Sequence, residues 1–175
     1  MVVVNLFGGP GSGKSTTCAG VFSKLKLADV NCEMALEYVK DKIWENSLNV
    51  LDDQIYVFGK QFHRLNCLKD KVDVIITDSP ILLSIIYNNE MSNYFDDFIV
   101  EQFRKFNNLN YYLVRDESFN QTGRIHNLEE SVEKDNQIKI MLNKYNISYT
   151  TVYKNNSVDT IIYDVMKAVN LDSHK

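Results

Sequence analysis

Val2-Val3-Val4-Asn5-Leu6-Phe7-Gly8-Gly9-Pro10-Gly11-Ser12-Gly13-Lys14-Ser15 stands at the head of the sequence and decides the fold. Its first six residues are a short, largely β-branched run that stops at glycine, the form of a buried strand. From Lys14 to about Lys26 apolar residues recur at helical spacing (Val21, Phe22, Leu25), so a helix follows the glycines directly. Gly8 to Ser15 satisfies G-x-x-x-x-G-K-[ST], and it does so between a strand and a helix, where the mechanism needs it. Glycines let the backbone turn without Cβ clashes, so successive N–H groups point inward at phosphate oxygens. The start of the helix adds the positive end of its dipole. Gly8, Gly9, Pro10, Gly11, Ser12, Gly13, Lys14, Ser15 and Thr16 are therefore the expected phosphate site. Lys14 is placed to reach the β- and γ-phosphates, and the Ser15 hydroxyl to bind Mg²⁺.

Outward from this stretch, strand and helix signals alternate. Asn31 to Leu36 reads as a second strand, and helices follow over Glu37 to Glu45 and Asp52 to Leu68, with Asp52 as N-cap. Val72 to Thr77 is the next strong strand signal, and Ile81 to Tyr87 and Tyr94 to Phe106 read as helices. Tyr111 to Val114 is a fourth strand, Arg115 to Asn127 a polar loop, and Leu128 to Tyr145 a long helix. Ser148 to Tyr153 is a fifth strand and Val158 to Val169 a closing helix. This alternation predicts a doubly wound α/β fold: a five-stranded, mostly parallel sheet with helices on both faces. Ligands in such sheets bind at the carboxyl ends of the strands, near the point where strand order reverses.

At 175 residues the chain is expected to form one domain, residues 1–175, with no internal repeat. The longest apolar stretch, Val72 to Ile86, is interrupted by Asp78, Ser79 and Pro80, so no spanning helix is expected. Cys18, Cys32 and Cys67 are scattered without metal-ligand spacing, which fits reduced thiols in a cytoplasmic setting. The net charge of −4 and the pI of about 5.4 argue weakly against a polynucleotide partner, which favours a basic face. A guanine-reading N-K-x-D is missing, because the nearest string, Asn143-Lys144-Tyr145-Asn146, lacks the acid.

Asp78 ends the Val74 to Thr77 run, so its carboxylate sits at a strand's C-terminal edge. Two roles fit it there, metal association through water and acceptance of a hydroxyl proton. A turn-capping Asp is the plainer alternative, since Thr-Asp-Ser-Pro is good turn chemistry. Arg115 and Arg124, two of only four arginines, bracket the polar segment 115–127, a candidate lid with Gly123 as hinge. Solvated loop arginines are the alternative. Glu37, Lys40 and Asp41, with Gln61 and Arg64 on the next helix, face the expected acceptor side, where carboxylates hold hydroxyls and amides pair with base edges. An exposed amphipathic surface explains each of these singly as well.

With these residues in view, the chain resembles the P-loop nucleoside and nucleotide kinases. It is especially similar to small AAA-type ATPases of phages and bacteria related to nicotinamide riboside kinase domains. The resemblance rests on Gly8 to Ser15, the Glu37-Tyr38 pair, Ile76-Thr77-Asp78-Ser79-Pro80, and Gly123-Arg124 ahead of a long helix containing Asp135. It implies ATP as donor, Mg²⁺ with Ser15 and Asp78, a lid around Arg124, and a nucleoside or nucleotide as acceptor. Asp78-Ser79-Pro80 stands where thymidylate kinases carry D-R-[YH] and deoxynucleoside kinases E-R-S, which leaves the acceptor open. A kinase acting on a polynucleotide hydroxyl and a non-catalytic ATP-binding regulatory module are the rival readings.

Overall fold

A computed structural model describes residues 1–88, 93–115 and 127–172. Strand β1 (Val2–Phe7) is buried along its whole length and runs parallel to a neighbour on each side. β3 (Val74–Thr77) pairs with it so that Asn5 faces Thr77, and β4 (Asn107–Leu113) pairs so that Phe7 faces Tyr112. β2 (Cys32–Met34) and β5 (Thr150–Val152) flank them, giving the order β2-β3-β1-β4-β5 with every pairing parallel. This is the doubly wound sheet expected from the alternation. The order reverses beside β1, so the crevice at its carboxyl end is the natural ligand position.

Side chains of β1 alternate between two cores. Val4 and Leu6 join Cys18, Val21 and Leu25 of α1 (Lys14–Leu27) and Ile161 and Val165 of α7 (Ser157–Asp172) on one face. Val3 and Phe7 join the other core, against α3 (Gln54–Asn66), α5 (Asn93–Arg104) and α6 (Leu128–Lys144). Between these, α2 (Tyr38–Trp44), a 3₁₀ turn (Leu48–Asp52) and the short α4 (Leu83–Ile86) sit along the rim of the sheet.

Most element boundaries shift by a few residues from the sequence reading, and at β4, α3 and α2 the hydrogen bonds give the physical reason. β4 begins at Asn107, four residues before the apolar run, because the buried Asn5 amide pairs with Asn108 Oδ1 (2.9 Å) and Asn110 Oδ1 (3.1 Å). Polar residues that satisfy one another across two strands hide a strand from any hydrophobic pattern. The α3 cap is Asp53 rather than Asp52, its Oδ1 accepting from Tyr56 N at 3.0 Å, while Asp52 closes the 3₁₀ turn. The helix expected from Glu37 starts one residue later, since Glu37 is held extended by a bond to Asp78. α6 carries a full capping box, with Glu130 N donating to Asn127 Oδ1 (2.9 Å) and Asn127 N to Glu130 Oε2 (2.8 Å). A cap of this kind stabilises a helix end by about 1 kcal/mol. No helix among the described residues is long and apolar enough to cross a membrane.

Candidate active site

The turn between β1 and α1 is built on positive φ angles at Gly11 (83°) and Gly13 (96°), a backbone region that side chains with Cβ adopt only at a cost. It leads without a side-chain cap into α1, so the first N–H groups of that helix face the crevice. Lys14 folds back over the turn, its Nζ donating to Gly8 O (2.6 Å) and Gly9 O (3.0 Å). Burial pulls the Lys14 pKa below its ordinary value, opposed by the nearby charges of Glu37, Asp78 and Asp135. The Ser15 hydroxyl donates to Asp78 Oδ2 at 2.7 Å. Thr16 lines the mouth, and Ser12 is buried within the loop.

Asp78 is brought beside the loop because β3 is the immediate neighbour of β1. Its second oxygen, Oδ1, accepts from Glu37 N at 3.0 Å. One carboxylate thus ties the phosphate loop to the turn that follows β2. That turn is held at further points: Thr77 Oγ1 donates to Ala35 O (2.7 Å), Tyr38 N to Gln61 Oε1 (2.9 Å), and Arg64 Nη1 to Leu36 O (2.9 Å). Glu37 is the carboxylate that this clamp turns toward the crevice. Burial raises its pKa, and the charge of Lys14 partly counters the rise.

Around these groups opens a cleft of about 1000 Å³. The phosphate loop forms its floor, Glu37 and Lys40 one wall, and the 3₁₀ turn with Asp52, Asp53 and Gln54 its outer rim. Ser84, Tyr87 and Asn88 also belong to the lining. Burial raises the Tyr87 hydroxyl, and the charge of Glu37 adds to the effect. Lys134 lies over the Tyr87 ring, 4.6 Å from its centroid, and so joins α6 to this part of the lining.

The expected acceptor residues divide. Glu37, Lys40 and Gln61 reach the cleft. The Gln61 amide is nonetheless engaged by the β2–α2 turn, with Nε2 within 3.4 Å of Leu36 O, so its geometry is that of a support for the turn. Asp41 and Arg64 pair with each other outside the cleft lining. Arg115, at the end of β4, stands behind the phosphate loop rather than in the cleft. Its Nε donates to Asp135 Oδ2 (2.9 Å) and its Nη1 to Pro10 O (2.8 Å). Arg124, Gly123 and the rest of 116–126, and with them nearly all of the candidate lid 115–127, lie outside the described residues.

Asp135 is the residue whose part sequence reasoning missed. Its Oδ1 accepts from Gly9 N at 2.6 Å across 126 positions of sequence. No local pattern carries a contact of that separation. The acid-rich rim at Asp52 and Asp53 had a signal, a polar break between two helical stretches, which reads first as a helix cap.

Among the described residues, no group of three or more His, Cys, Asp or Glu side chains is arranged to hold a metal. Magnesium needs no such group at a phosphate loop, where one hydroxyl, a carboxylate, water and phosphate oxygens complete its shell. The Ser15 hydroxyl and Asp78 carboxylate are hard oxygen donors 2.7 Å apart, and they fit that ion.

Residues 3–159 match the model of the AAA domain family. The chain belongs to that family. Among solved structures, this AAA domain is similar to deoxyadenosine kinase from M. mycoides with bound dATP, at 21% identity and a TM-score of 0.56, over 96% of this chain and 99% of the other. A second structure from M. mycoides, deoxyadenosine kinase with the products dCMP and a flexible dCDP, matches at 17% identity and a TM-score of 0.53, over 96% and 98%. At these identities the likeness is one of fold. Sequence comparison with curated proteins gives no match.

Proposed function

We propose that this AAA domain is an ATP- and Mg²⁺-dependent phosphotransferase whose acceptor is a hydroxyl of a nucleoside. The observation that supports it most is the cluster of groups around the phosphate loop. Lys14, Ser15 and Glu37 line one space beside a complete phosphate loop, and Asp78 backs Ser15 through their 2.7 Å bond. The loop amides and Lys14 hold the β- and γ-phosphates and hold them in line with the acceptor. Ser15 and Asp78 would hold magnesium, which when bound would neutralise charge on the phosphate oxygens.

Asp78 and Glu37 divide the two roles that one carboxylate was expected to fill. Asp78 is committed on both oxygens, to Ser15 Oγ and to Glu37 N, which suits a metal-associated acid. Glu37 faces the cleft, and burial raises its basicity, which suits a proton acceptor. As the acceptor oxygen bonds to the γ-phosphorus, its proton passes to Glu37, and the β–γ bridging oxygen departs with ADP.

Charge favours a nucleoside over a nucleotide. Among the described residues, the lining beyond the phosphate loop carries three carboxylates, Glu37, Asp52 and Asp53, against one cation, Lys40. Arg64, which in another geometry would hold a phosphate, is bound to Asp41 and Leu36 O. A monophosphate entering this wall meets like charge, whereas sugar hydroxyls meet acceptors. The same balance weighs against a polynucleotide.

The test is transfer from γ-labelled ATP with Mg²⁺ to a panel of nucleosides, nucleoside monophosphates, nicotinamide riboside and hydroxyl-ended oligonucleotides, with Lys14→Ala as control. Label on a nucleoside is the expected result. Label on a monophosphate or an oligonucleotide overturns the acceptor assignment. Tight ATP binding with every acceptor unlabelled turns the reading toward a regulatory nucleotide-binding module.

A further inference from the structure

The first turn of the phosphate loop is held from two sides. Inside, Lys14 Nζ donates to Gly8 O (2.6 Å) and Gly9 O (3.0 Å). Outside, Asp135 Oδ1 accepts from Gly9 N (2.6 Å), and Arg115 Nη1 donates to Pro10 O (2.8 Å). Arg115 and Asp135 are joined to each other, Nη2 to Oδ2 at 2.8 Å, with side chains only 12% and 11% exposed. The pair is itself anchored, because Arg115 Nη2 also donates to Ser131 O (3.2 Å) in the capped first turns of α6.

The two holds differ in what nucleotide does to them. Phosphate draws Lys14 away from Gly8 O and Gly9 O, since a charged oxygen outcompetes a carbonyl for an ammonium group. Arg115 and Asp135 lie outside the cleft lining, and none of the bonds of the outer hold runs through Lys14. We propose that Arg115 and Asp135 are positioning residues for nucleotide binding, fixing Gly9 and Pro10 so that the loop keeps its phosphate-binding shape once Lys14 has moved to the phosphates. The proposal rests on the function above only in requiring that the loop bind nucleotide.

The test uses the full chain and ADP with Mg²⁺, read by titration calorimetry, with thermal unfolding alongside. Removing one member of a buried pair strands the other charge, so the informative variant is the double substitution Arg115→Met/Asp135→Leu, which leaves neither. It is expected to fold cooperatively and to bind ADP about 10-fold or more weakly, the scale of a lost charge-assisted hydrogen bond. In the transfer assay the KM for ATP rises while that for the acceptor stays put. Arg115→Met/Asp135→Asn, which keeps an oxygen for Gly9 N without a buried charge, is expected to recover part of the affinity. It also serves as the measured variant if the first does not fold. Wild-type ADP affinity in either folded double variant overturns the proposal, because a merely structural pair leaves binding unchanged. A wild-type protein that does not bind ADP overturns the nucleotide reading itself and this proposal with it, a failure visible before any substitution is made.

Discussion

Gly9→Ala and Gly59→Ala are the same change and are expected to move stability in opposite directions. A Cβ on Gly9 lies 2.5 Å from Ser131 O, 2.9 Å from Asp135 Oδ1 and 3.0 Å from Arg115 Nη2. Carbon and carbonyl oxygen rarely approach closer than about 3.3 Å, so the loop or the first turns of α6 must retreat by about 0.8 Å. The nearest atom is backbone in a capped helix, so the adjustment is not a side-chain rotation. Overpacking of this kind costs about 1–3 kcal/mol. The methyl returns about 0.4–1 kcal/mol by restricting the unfolded chain, and the balance stays unfavourable. Gly9 is absent from the glycines with positive φ, so the effect is steric and not a matter of backbone strain. Gly59 is exposed in the middle of α3, and a Cβ there meets nothing within 4 Å. Its replacement is expected to add about 0.5–1 kcal/mol through helix propensity. In a chain of this size each kcal/mol moves the thermal midpoint by roughly 2–4 °C. Thermal scans of the two variants and the wild type at one pH therefore give midpoints on either side of the wild-type value. A Gly9→Ala protein as stable as Gly59→Ala would refute the close seating of the phosphate loop on α6.

Other predictions concern the chemistry. Lys14→Ala is expected to reduce nucleotide-dependent transfer to background with a folded protein by circular dichroism; retained turnover sinks the phosphate-loop assignment. Asp78→Asn is expected to weaken activation by Mg²⁺ about 10–100-fold, the usual size of an outer-shell loss, and an unchanged Mg²⁺ titration returns Asp78 to a turn cap. The Glu37 carboxyl is raised by burial, so kcat/KM is expected to fall with acid at a pH above the ordinary carboxylate range, and Glu37→Gln to lose both that limb and most of the rate. The same shift has a stability consequence. The folded protein holds the Glu37 proton to higher pH than the unfolded chain, so stability falls as pH rises through the raised pKa. Glu37→Gln is accordingly more stable than wild type at neutral pH, a difference that vanishes below the unfolded carboxyl range; the opposite order in urea melts rules out the buried, ionised Glu37.

What the sequence made legible was local. A strand, a glycine turn and a helix that follow one another directly in the chain carry their own pattern, and the phosphate loop is found where that pattern puts it. Asp78 followed from the end of an apolar run, and its closeness to Ser15 from the pairing of β1 with β3. The rest depends on contacts that no short window contains. Gln61 looks like any polar residue on an amphipathic helix, and only the fold sets its amide against the Tyr38 N–H. Arg115 looked like a free cation at a loop's edge, yet its partners are on a turn more than a hundred positions earlier and on a helix twenty later. The cleft's outer rim is a 3₁₀ turn with weak periodicity, which a helix template absorbs without residue.

The three asparagines at the centre of the sheet act as an alignment pin between two loops. Asn5, 1% exposed, fixes β1 against β4 by its bonds to Asn108 and Asn110. Slipping β4 two places so that Tyr112 stands opposite Asn5 takes away the amide oxygen that faces it there, while Val4 and Leu6 still face Tyr111 and Leu113, and Val3 still faces an asparagine. Hydrophobicity alone does not forbid that shift. Yet each residue of slip carries the end of β4 about 3.3 Å along the sheet, so two would take Arg115 roughly a side chain's length out of reach of Pro10 O and Asp135. A polar contact far below the rim thereby sets the tolerance to which the rim is assembled, and the fold's most apolar strand owes its exact height to its one amide.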